Sequence, residues 1–320
     1  MNESKVTQDK EAIEKVKMGE YEEFKREMKG LKLPEREWRL IFCPDADPVW
    51  SNLAGVLLDS YRQGALKEFP PTCCLLSYNK PFVGFGYYSD LDKEITWLNC
   101  QALDICPVRR WQLGGGTIFF GPYTVYLQTV YPVKELPKTD DAYYLYVGQV
   151  CVETLKDLGV TGPYYRYPND VRVASGKKIM GTGFEVVGDF MLGNYFFNRF
   201  MPDMGLSSLA LNIPPDKFKD KEIKEFAKYV ASTETDGTHR PNMEEVKQKL
   251  IGNFKKYANV NLVETELTDE EKAIWEARSE ESLSDDYTWR RSTHRFLARN
   301  KGKVTTGFYQ EKHFKLVQAT

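Results

Sequence analysis

The chain has 320 residues, is 42% hydrophobic and 13% aromatic, and carries a formal net charge of -2. That composition suits one large domain or two modest ones and gives no general attraction to nucleic acid or to a membrane surface. No run of about 18 apolar residues occurs and the first twenty residues are polar, so neither a spanning helix nor a signal peptide is expected and the expected location is cytoplasmic.

Cys43, Cys73, Cys74, Cys100, Cys106 and Cys151 show no C-x-x-C spacing and read as buried thiols of a reducing compartment. His239, His294 and His313 are too few for a histidine-rich metal site.

Residues 3–33 read as a charged helical segment, part of an N-terminal extension over 1–35. Trp38–Phe42 is a predicted short strand. After the CPDADP turn, Trp50, Leu53, Ala54, Leu57, Leu58 and Tyr61 fall at helical spacing within Val49–Ala65, with Asp47, Ser51 or Asn52 as the cap. Strands are expected at Cys74–Tyr78 and Pro81–Tyr87, then a helix over Asp90–Leu98. The next stretch, RRWQLGGGTIFFGPYTVYLQTV over Arg109–Val130, reads as strand, tight loop and strand. Gly114, Gly115 and Gly116 permit unusual dihedrals and let a ligand approach backbone N–H groups, although an ordinary tight turn has the same composition.

A helix follows over about Asp140–Leu158. In YPNDVRVASGKKIMGTGFEVVGDFMLGNYFFNRF, Val171–Val173 and Lys178–Met180 flank a hairpin turn at Ala174–Gly176. Gly181, Gly183 and Gly188 punctuate the next strand, and Met191–Phe197 is strand-like. Lys178 is either a solvated strand lysine or an ordered ammonium that contacts a phosphate or carboxylate. Helices are expected at Met204–Leu211, Lys217–Tyr229 and Pro241–Lys256, and an edge strand at Val260–Glu266. Thr268 with Glu271 fits a capping box opening another helix. Arg290 to Lys303 form a basic block after the acidic Glu280–Asp286, either solvated or a docking surface for an acidic protein.

In their order, Trp38-Arg39-Leu40, Asp47-Pro48, Asn52-Leu53-Ala54, Pro81–Gly86, Arg109-Arg110 with Gly114–Gly116, Asn169-Asp170 and Gly176, Lys178, Ile179, Gly181 resemble the lipoate–protein ligase A-like branch of the biotinyl and lipoyl protein ligase superfamily. The likeness covers roughly 36–260 and leaves 261–320 as a small basic C-terminal extension. It implies an α+β domain, a mixed, mostly antiparallel sheet flanked by helices, of the class II aminoacyl-tRNA synthetase and biotin ligase kind. It further implies an ATP-dependent ligase that activates lipoate or octanoate as an acyl-adenylate. The acyl group then passes to a lysine of an acidic lipoyl carrier domain, such as glycine cleavage H protein or a 2-oxoacid dehydrogenase E2.

By the same resemblance, Lys178 is the catalytic lysine, contacting acyl oxygen and α-phosphate. Arg109 and Arg110 hold phosphates. Gly84, Gly114, Gly115, Gly116, Thr117, Asn169, Asp170 and Gly181 line the acyl and nucleotide pocket, with Asp170 as the Mg²⁺ ligand. The segment Gly84–Tyr87 and Ile118 contribute to an apolar tunnel. The family pattern Arg-Arg-x-Ser-Gly-Gly-Gly is stretched here by Trp111-Gln112-Leu113. Either a one-residue bulge restores the arginine pair, or Trp111 stands where the second arginine would. The polar signatures after the loop and at Gly193-Asn194-Tyr195 are also replaced. An ATP-independent octanoyl or lipoyl transferase, a ligase for another acid and a non-catalytic acyl-binding protein are the alternatives, and the transferase would need a nucleophilic cysteine.

Overall fold

The computed structural model describes residues 22–29, 33–137, 142–166, 169–212, 229–292, 309–312 and 316–319. Most of the expected helix at 217–229 and the basic residues 293–303 lie outside these, as do residues 1–21.

Runs of β-branched and aromatic residues supply the strands. In chain order they are β1 (Arg36–Ala46), β2 (Thr72–Tyr78), β3 (Phe82–Phe85), β4 (Cys106–Arg109), β5 (Ile118–Phe120) and β6 (Thr124–Pro132). They continue with β7 (Tyr164–Arg166), β8 (Asp170–Arg172), β9 (Lys178–Val187), β10 (Phe190–Asn198) and β11 (Val260–Glu264). Eight of them form one sheet in the order β11-β1-β2-β6-β10-β9-β8-β7. β1 runs parallel to β2 and to β11, and the other neighbours are antiparallel. A second sheet, β4-β3-β5, carries both ends of the glycine loop. The expected mixed, mostly antiparallel sheet is what forms.

Helices cover both faces. One face receives α1 (Leu53–Arg62) and the three-stranded sheet, with Leu53, Leu57, Leu76, Val130 and Leu192 buried between them. The other face receives α2 (Ala142–Asp157) and α3 (Met243–Asn253), which bury Leu145, Val150, Leu155, Val246 and Leu250 against β1, β2, β6 and β10. Each such side chain contributes roughly 1.5–3 kcal/mol by leaving water. The helical segment at 22–29 adds Phe24 and Met28 to this core.

α4 (Asp269–Leu283) opens with the expected capping box, in which Thr268 and Glu271 exchange side-chain and backbone hydrogen bonds. α5 (Asp285–Thr288) follows at once. Leu267, Trp275 and Tyr287 are buried in the same cluster as α1, and β11 pairs with β1. Residues 260–292 are therefore built into the main core, and the expected boundary at 260 falls at the first residue of β11.

Two elements differ from expectation for local reasons. The Asp90–Leu98 helix is split into Leu91–Glu94 and Trp97–Ala102, because Ile95 adopts an extended conformation and pairs with Leu211. Lys178–Val187 is one unbroken strand despite Gly181 and Gly183. The Phe196 ring of the neighbouring strand lies over Gly181, which compensates the missing side chain.

Candidate active site

The glycine loop joins β4 to β5 and rests against the end of β3. Phe85 and Leu113 accept backbone hydrogen bonds from Arg110 and Tyr87 at 2.9 and 2.8 Å. Gly115 has φ +94°, and a Cβ on Gly86 would collide with the Gly115 carbonyl, so neither position tolerates a side chain. Across the cleft, the Leu113 side chain lies 3.6 Å from where a Cβ on Gly183 would stand. The loop is thus suspended over β9, with Gly181 and Gly183 on the strand face that meets it. Thr117 anchors its far end by donating its hydroxyl to the buried Glu94 carboxylate.

The two adjacent arginines are placed differently. Arg109 is completely buried and its guanidinium donates to five main-chain carbonyls. Nε reaches Tyr287 and Thr288 at 3.1 and 3.2 Å, Nη1 reaches Gly86, Tyr87 and Ser89 at 3.2, 2.8 and 2.9 Å, and Nη2 reaches Thr288 at 2.9 Å. The Phe85 ring lies 4.7 Å from its central carbon. Burial pulls its pKa down to about 10, so it is still charged at neutral pH. Arg110 turns under the loop instead, donating Nη2 to the Gly116 carbonyl while its buried Nε has no hydrogen-bond partner.

Gln112 adopts a left-handed conformation, φ 59°. That local bulge leaves Arg110 inside and sends Trp111 outward. Trp111 stacks on Tyr287 at 4.6 Å with 15° between planes, and the Arg278 guanidinium lies 4.9 Å from its ring. Gln112 donates to Asp59, which also accepts from Arg278, 2.7 and 2.8 Å respectively. Trp111 is therefore packing, and does not stand in for an arginine in the cleft.

The charged pole lies on β8 and β9. The Lys178 ammonium contacts Asp170 Oδ1 at 2.5 Å, and Tyr229 donates to Asp170 Oδ2 at 3.5 Å. Burial acts to lower the Lys178 pKa, but Asp170 and Tyr229 outweigh it and the net direction is upward, so the amine is held as an ammonium. Asp170 is in register with Gly181, and the Asn169 carbonyl accepts the Thr182 N–H at 2.9 Å, while Asn169 itself is exposed. Arg172 lies 5.7 Å from the Tyr229 ring, and the charges of Arg172 and Arg166 act on that phenol together with Asp170 and Lys178.

The structure brings Lys178, Asp170, Asn169 and Gly181 together at one pole, and Arg110 with Gly114–Thr117 at the loop. Arg109 is turned to the opposite side. Gly84 lies in β3 beneath the Phe120 ring. Arg166, Arg172 and Tyr229 went unnoticed in the sequence. Arg172 shares a strand face with Asp170 by the two-residue period, which is a usable signal, whereas nothing local marks Tyr229 or Glu94.

Among the described residues no group of three or more His, Cys, Asp or Glu side chains is arranged to hold a metal. Asp170 supplies one hard carboxylate already engaged by an ammonium. That fits a Mg²⁺ arriving on nucleotide phosphates and does not fit a resident ion. The thiols are equally telling. Cys73 and Cys151 are buried on the α2 side of the sheet, and Cys74 and Cys100 are wholly buried. Burial raises the pKa of Cys43 and Cys106, of Cys100 to about 11, of Cys74 to about 12, and of Cys73 and Cys151 as well. No thiol in the described residues hydrogen-bonds to a basic side chain.

Known proteins resemble the chain in sequence and in fold. The lipoyl protein ligase A/B catalytic domain matches residues 55–255. An octanoyltransferase LipM of Geobacillus kaustophilus is 25% identical over 282 residues, which is 79% of this chain and 98% of that protein. A second LipM, from Halalkalibacterium halodurans, is 22% identical over 278 residues, 79% of this chain and 99% of its own. Among solved structures, the bi-partite lipoate protein ligase of Thermoplasma acidophilum, described with its E2 lipoyl domain, superposes with a TM-score of 0.64 at 19% identity, covering 80% of this chain and 97% of its own. A lipoate-protein ligase A bound with ATP gives 0.60 at 16% identity, covering 81% and 100%. At those identities the structural likeness establishes the fold.

Proposed function

Because the chain belongs to the lipoyl protein ligase A/B catalytic-domain family, we propose that it attaches a lipoyl- or octanoyl-type acyl group to a lysine of a carrier domain, with the acid first activated by ATP. The observation that carries this reading is the Lys178 ammonium, fixed by Asp170 and carried on β9, the strand whose Gly183 meets the glycine loop at Leu113. A carboxylate and a triphosphate repel each other, and a preorganised cation between them stabilises the charge that develops as they react. In the first step an oxygen of the acid attacks the α-phosphorus of ATP, and the bond to the leaving pyrophosphate breaks. In the second, the neutral amine of the carrier lysine attacks the acyl carbonyl, AMP leaves with the bonding electron pair, and the nitrogen gives up its proton to water as the amide forms.

In this chemistry Lys178 neutralises the α-phosphate and polarises the acyl oxygen. Asp170 keeps it protonated and aimed, while Arg172 and Arg166 add positive charge beside it. Arg110 holds the glycine loop by its Gly116 carbonyl, and the loop amides line the ligand. Asp170 is the carboxylate that would hold a magnesium ion arriving with the nucleotide, and that ion would supply charge neutralisation for the leaving pyrophosphate. The carrier is an acidic lipoyl domain of the glycine cleavage H protein or E2 kind, in keeping with the carrier named beside the Thermoplasma ligase.

A second reading has its own support, since the curated relatives are octanoyltransferases. Such an enzyme would take the acyl group from a donor carrier without ATP. Against a thiol-linked intermediate stand the burial of Cys73, Cys74, Cys100 and Cys151 and the upward shift that burial gives every described thiol, Cys43 and Cys106 being half-buried. One experiment separates the two: incubate the protein with an unmodified lipoyl domain and either octanoate plus ATP or an octanoylated carrier alone, and read intact mass and pyrophosphate. We expect the octanoyl mass increase and pyrophosphate in the first mixture. Modification in the second mixture alone gives the transferase, and modification in neither removes both readings.

A further inference from the structure

Glycines opposite a ligand cleft usually leave room. Here the room at Gly84 and Gly181 is taken by the chain's own rings. A Cβ on Gly84 would stand 2.5 Å from the Phe120 ring, and one on Gly181 would collide with Phe196. The rings meet edge to face, centroids 5.4 Å apart at 87°. Phe120 continues the stack to Phe82 at 5.1 Å and Tyr126 at 5.3 Å, and Phe82 continues it to Tyr78 at 4.6 Å. An aromatic column therefore spans the two sheets from the Lys178 side of β9 inward.

The two rings differ in freedom. Phe120 is 1% exposed, while Phe196 is only partly buried at the cleft end of the column. Beyond Phe120 the surroundings turn unfavourable for a hydrocarbon tail. The Tyr78 hydroxyl is buried with no hydrogen-bond partner, the buried Tyr126 hydroxyl lies beside Gln128 and Arg110, and the unpartnered Nε of Arg110 is buried as well. A tail passing Phe120 would displace a packed ring and meet polar atoms to which it offers nothing.

We infer that Phe120, fronted at the cleft end by the less buried Phe196, is the end wall of the acyl pocket and sets the longest acid tail the protein accepts. This rests on the acyl-attachment reading above and assigns its specificity to two side chains. A tail that stops at the rings gains their apolar contact, and one that is longer must push Phe120 off Gly84. A methylene more or less in such a pocket changes discrimination by about 10- to 200-fold.

The test uses the full-length protein and straight-chain acids from butanoate to dodecanoate, with ATP–pyrophosphate exchange and calorimetric binding measured for each. The wild type is expected to show a cutoff length in both. Phe120→Ala should move that cutoff to longer acids, raising kcat/KM for the first excluded acid by about tenfold or more. Phe196→Ala should give a smaller shift in the same direction. Phe120→Leu, a milder change to the packing, should give an intermediate cutoff and guards against a misfolded alanine variant. Folded variants with the wild-type length profile overturn the inference. A binding cutoff that moves with residue 120 while no acid supports exchange upholds the wall and removes the adenylation reading. Neither binding nor exchange with any acid removes both.

Discussion

On its inner side the glycine loop faces β9 across a cleft with few fixed contacts: Leu113 near Gly183, Arg110 on Gly116, and Lys178 held by Asp170 beyond. On its outer side the same loop is clamped. Arg109 ties five carbonyls from two segments together, and Trp111 is sandwiched between Tyr287 and Arg278. Adjacent residues thus serve opposite ends, one side holding the loop still and the other presenting it. A loop that must place several amides around a ligand benefits from such a backing, because preorganised donors need no rearrangement during reaction. The backing comes from α4 and α5, far along the chain.

The largest expected effect is on the inner side. Lys178→Ala should lower ATP–pyrophosphate exchange by roughly 10²- to 10³-fold, the usual consequence of removing one preorganised stabiliser. Its stability cost should be at most about 1 kcal/mol, since the pair with Asp170 is partly open to solvent. A variant that kept full exchange would remove the role given to Lys178. One that lost exchange only by unfolding would erase the distinction between the two sides.

Next in size is the outer clamp, read against its neighbour. Arg109→Met leaves the carbonyls of Gly86, Tyr87, Ser89, Tyr287 and Thr288 without their donor, and should cost about 3–5 kcal/mol in chemical denaturation. Arg110→Met removes a buried charge with a single hydrogen bond, and should cost about 1 kcal/mol or less while lowering exchange more than stability. Equal stability losses at the two positions would show that the arginines are not divided between clamp and cleft.

Trp111→Ala should cost about 3 kcal/mol, the low end for emptying a buried aromatic site. Trp111→Phe, which can still stack on Tyr287, should recover more than half of it. If Trp111→Ala instead left stability unchanged and altered nucleotide affinity, the residue would belong to the cleft after all.

How much of this was legible in the sequence follows from the range of each interaction. Strands and helices with strong periodicity, such as Val49–Ala65 and Met191–Phe197, and the capping box at Thr268, are local and were readable. The glycine loop and the grouping of Asn169, Asp170 and Lys178 were readable because close spacing and a hairpin bring them together. The fate of Arg109 was not, since its partners at Tyr287 and Thr288 lie 178 and 179 residues away. Nor was the turn at Gln112, where a non-glycine residue takes a left-handed conformation. The rings over Gly84 and Gly181 were likewise hidden, because a glycine announces vacant space without saying which side chain fills it.

The smallest effect concerns the docking of α4, which carries the clamp, and it is a pH effect. Glu271 is 1% exposed and meets Arg39 through both oxygens, Nη1 to Oε2 at 2.7 Å and Nη2 to Oε1 at 2.5 Å, while also accepting the Thr268 N–H at 2.9 Å. Burial alone would raise its pKa, but the hydrogen bond from Arg39, with the capping bonds at Thr268, outweighs that and the carboxyl is held below its usual range. A carboxyl depressed in the folded state stabilises it fully above the unfolded pKa near 4.3, and loses that contribution as pH falls through the folded value. Each unit of depression is worth about 1.4 kcal/mol. The wild type should therefore exceed Glu271→Gln in urea midpoint by a constant margin from pH 7 down to about 5, and the margin should shrink below about pH 4. A margin independent of pH down to about 3 would mean that the charge of Glu271 does not hold α4 in place, and that the clamp depends on apolar contacts such as Trp275 alone.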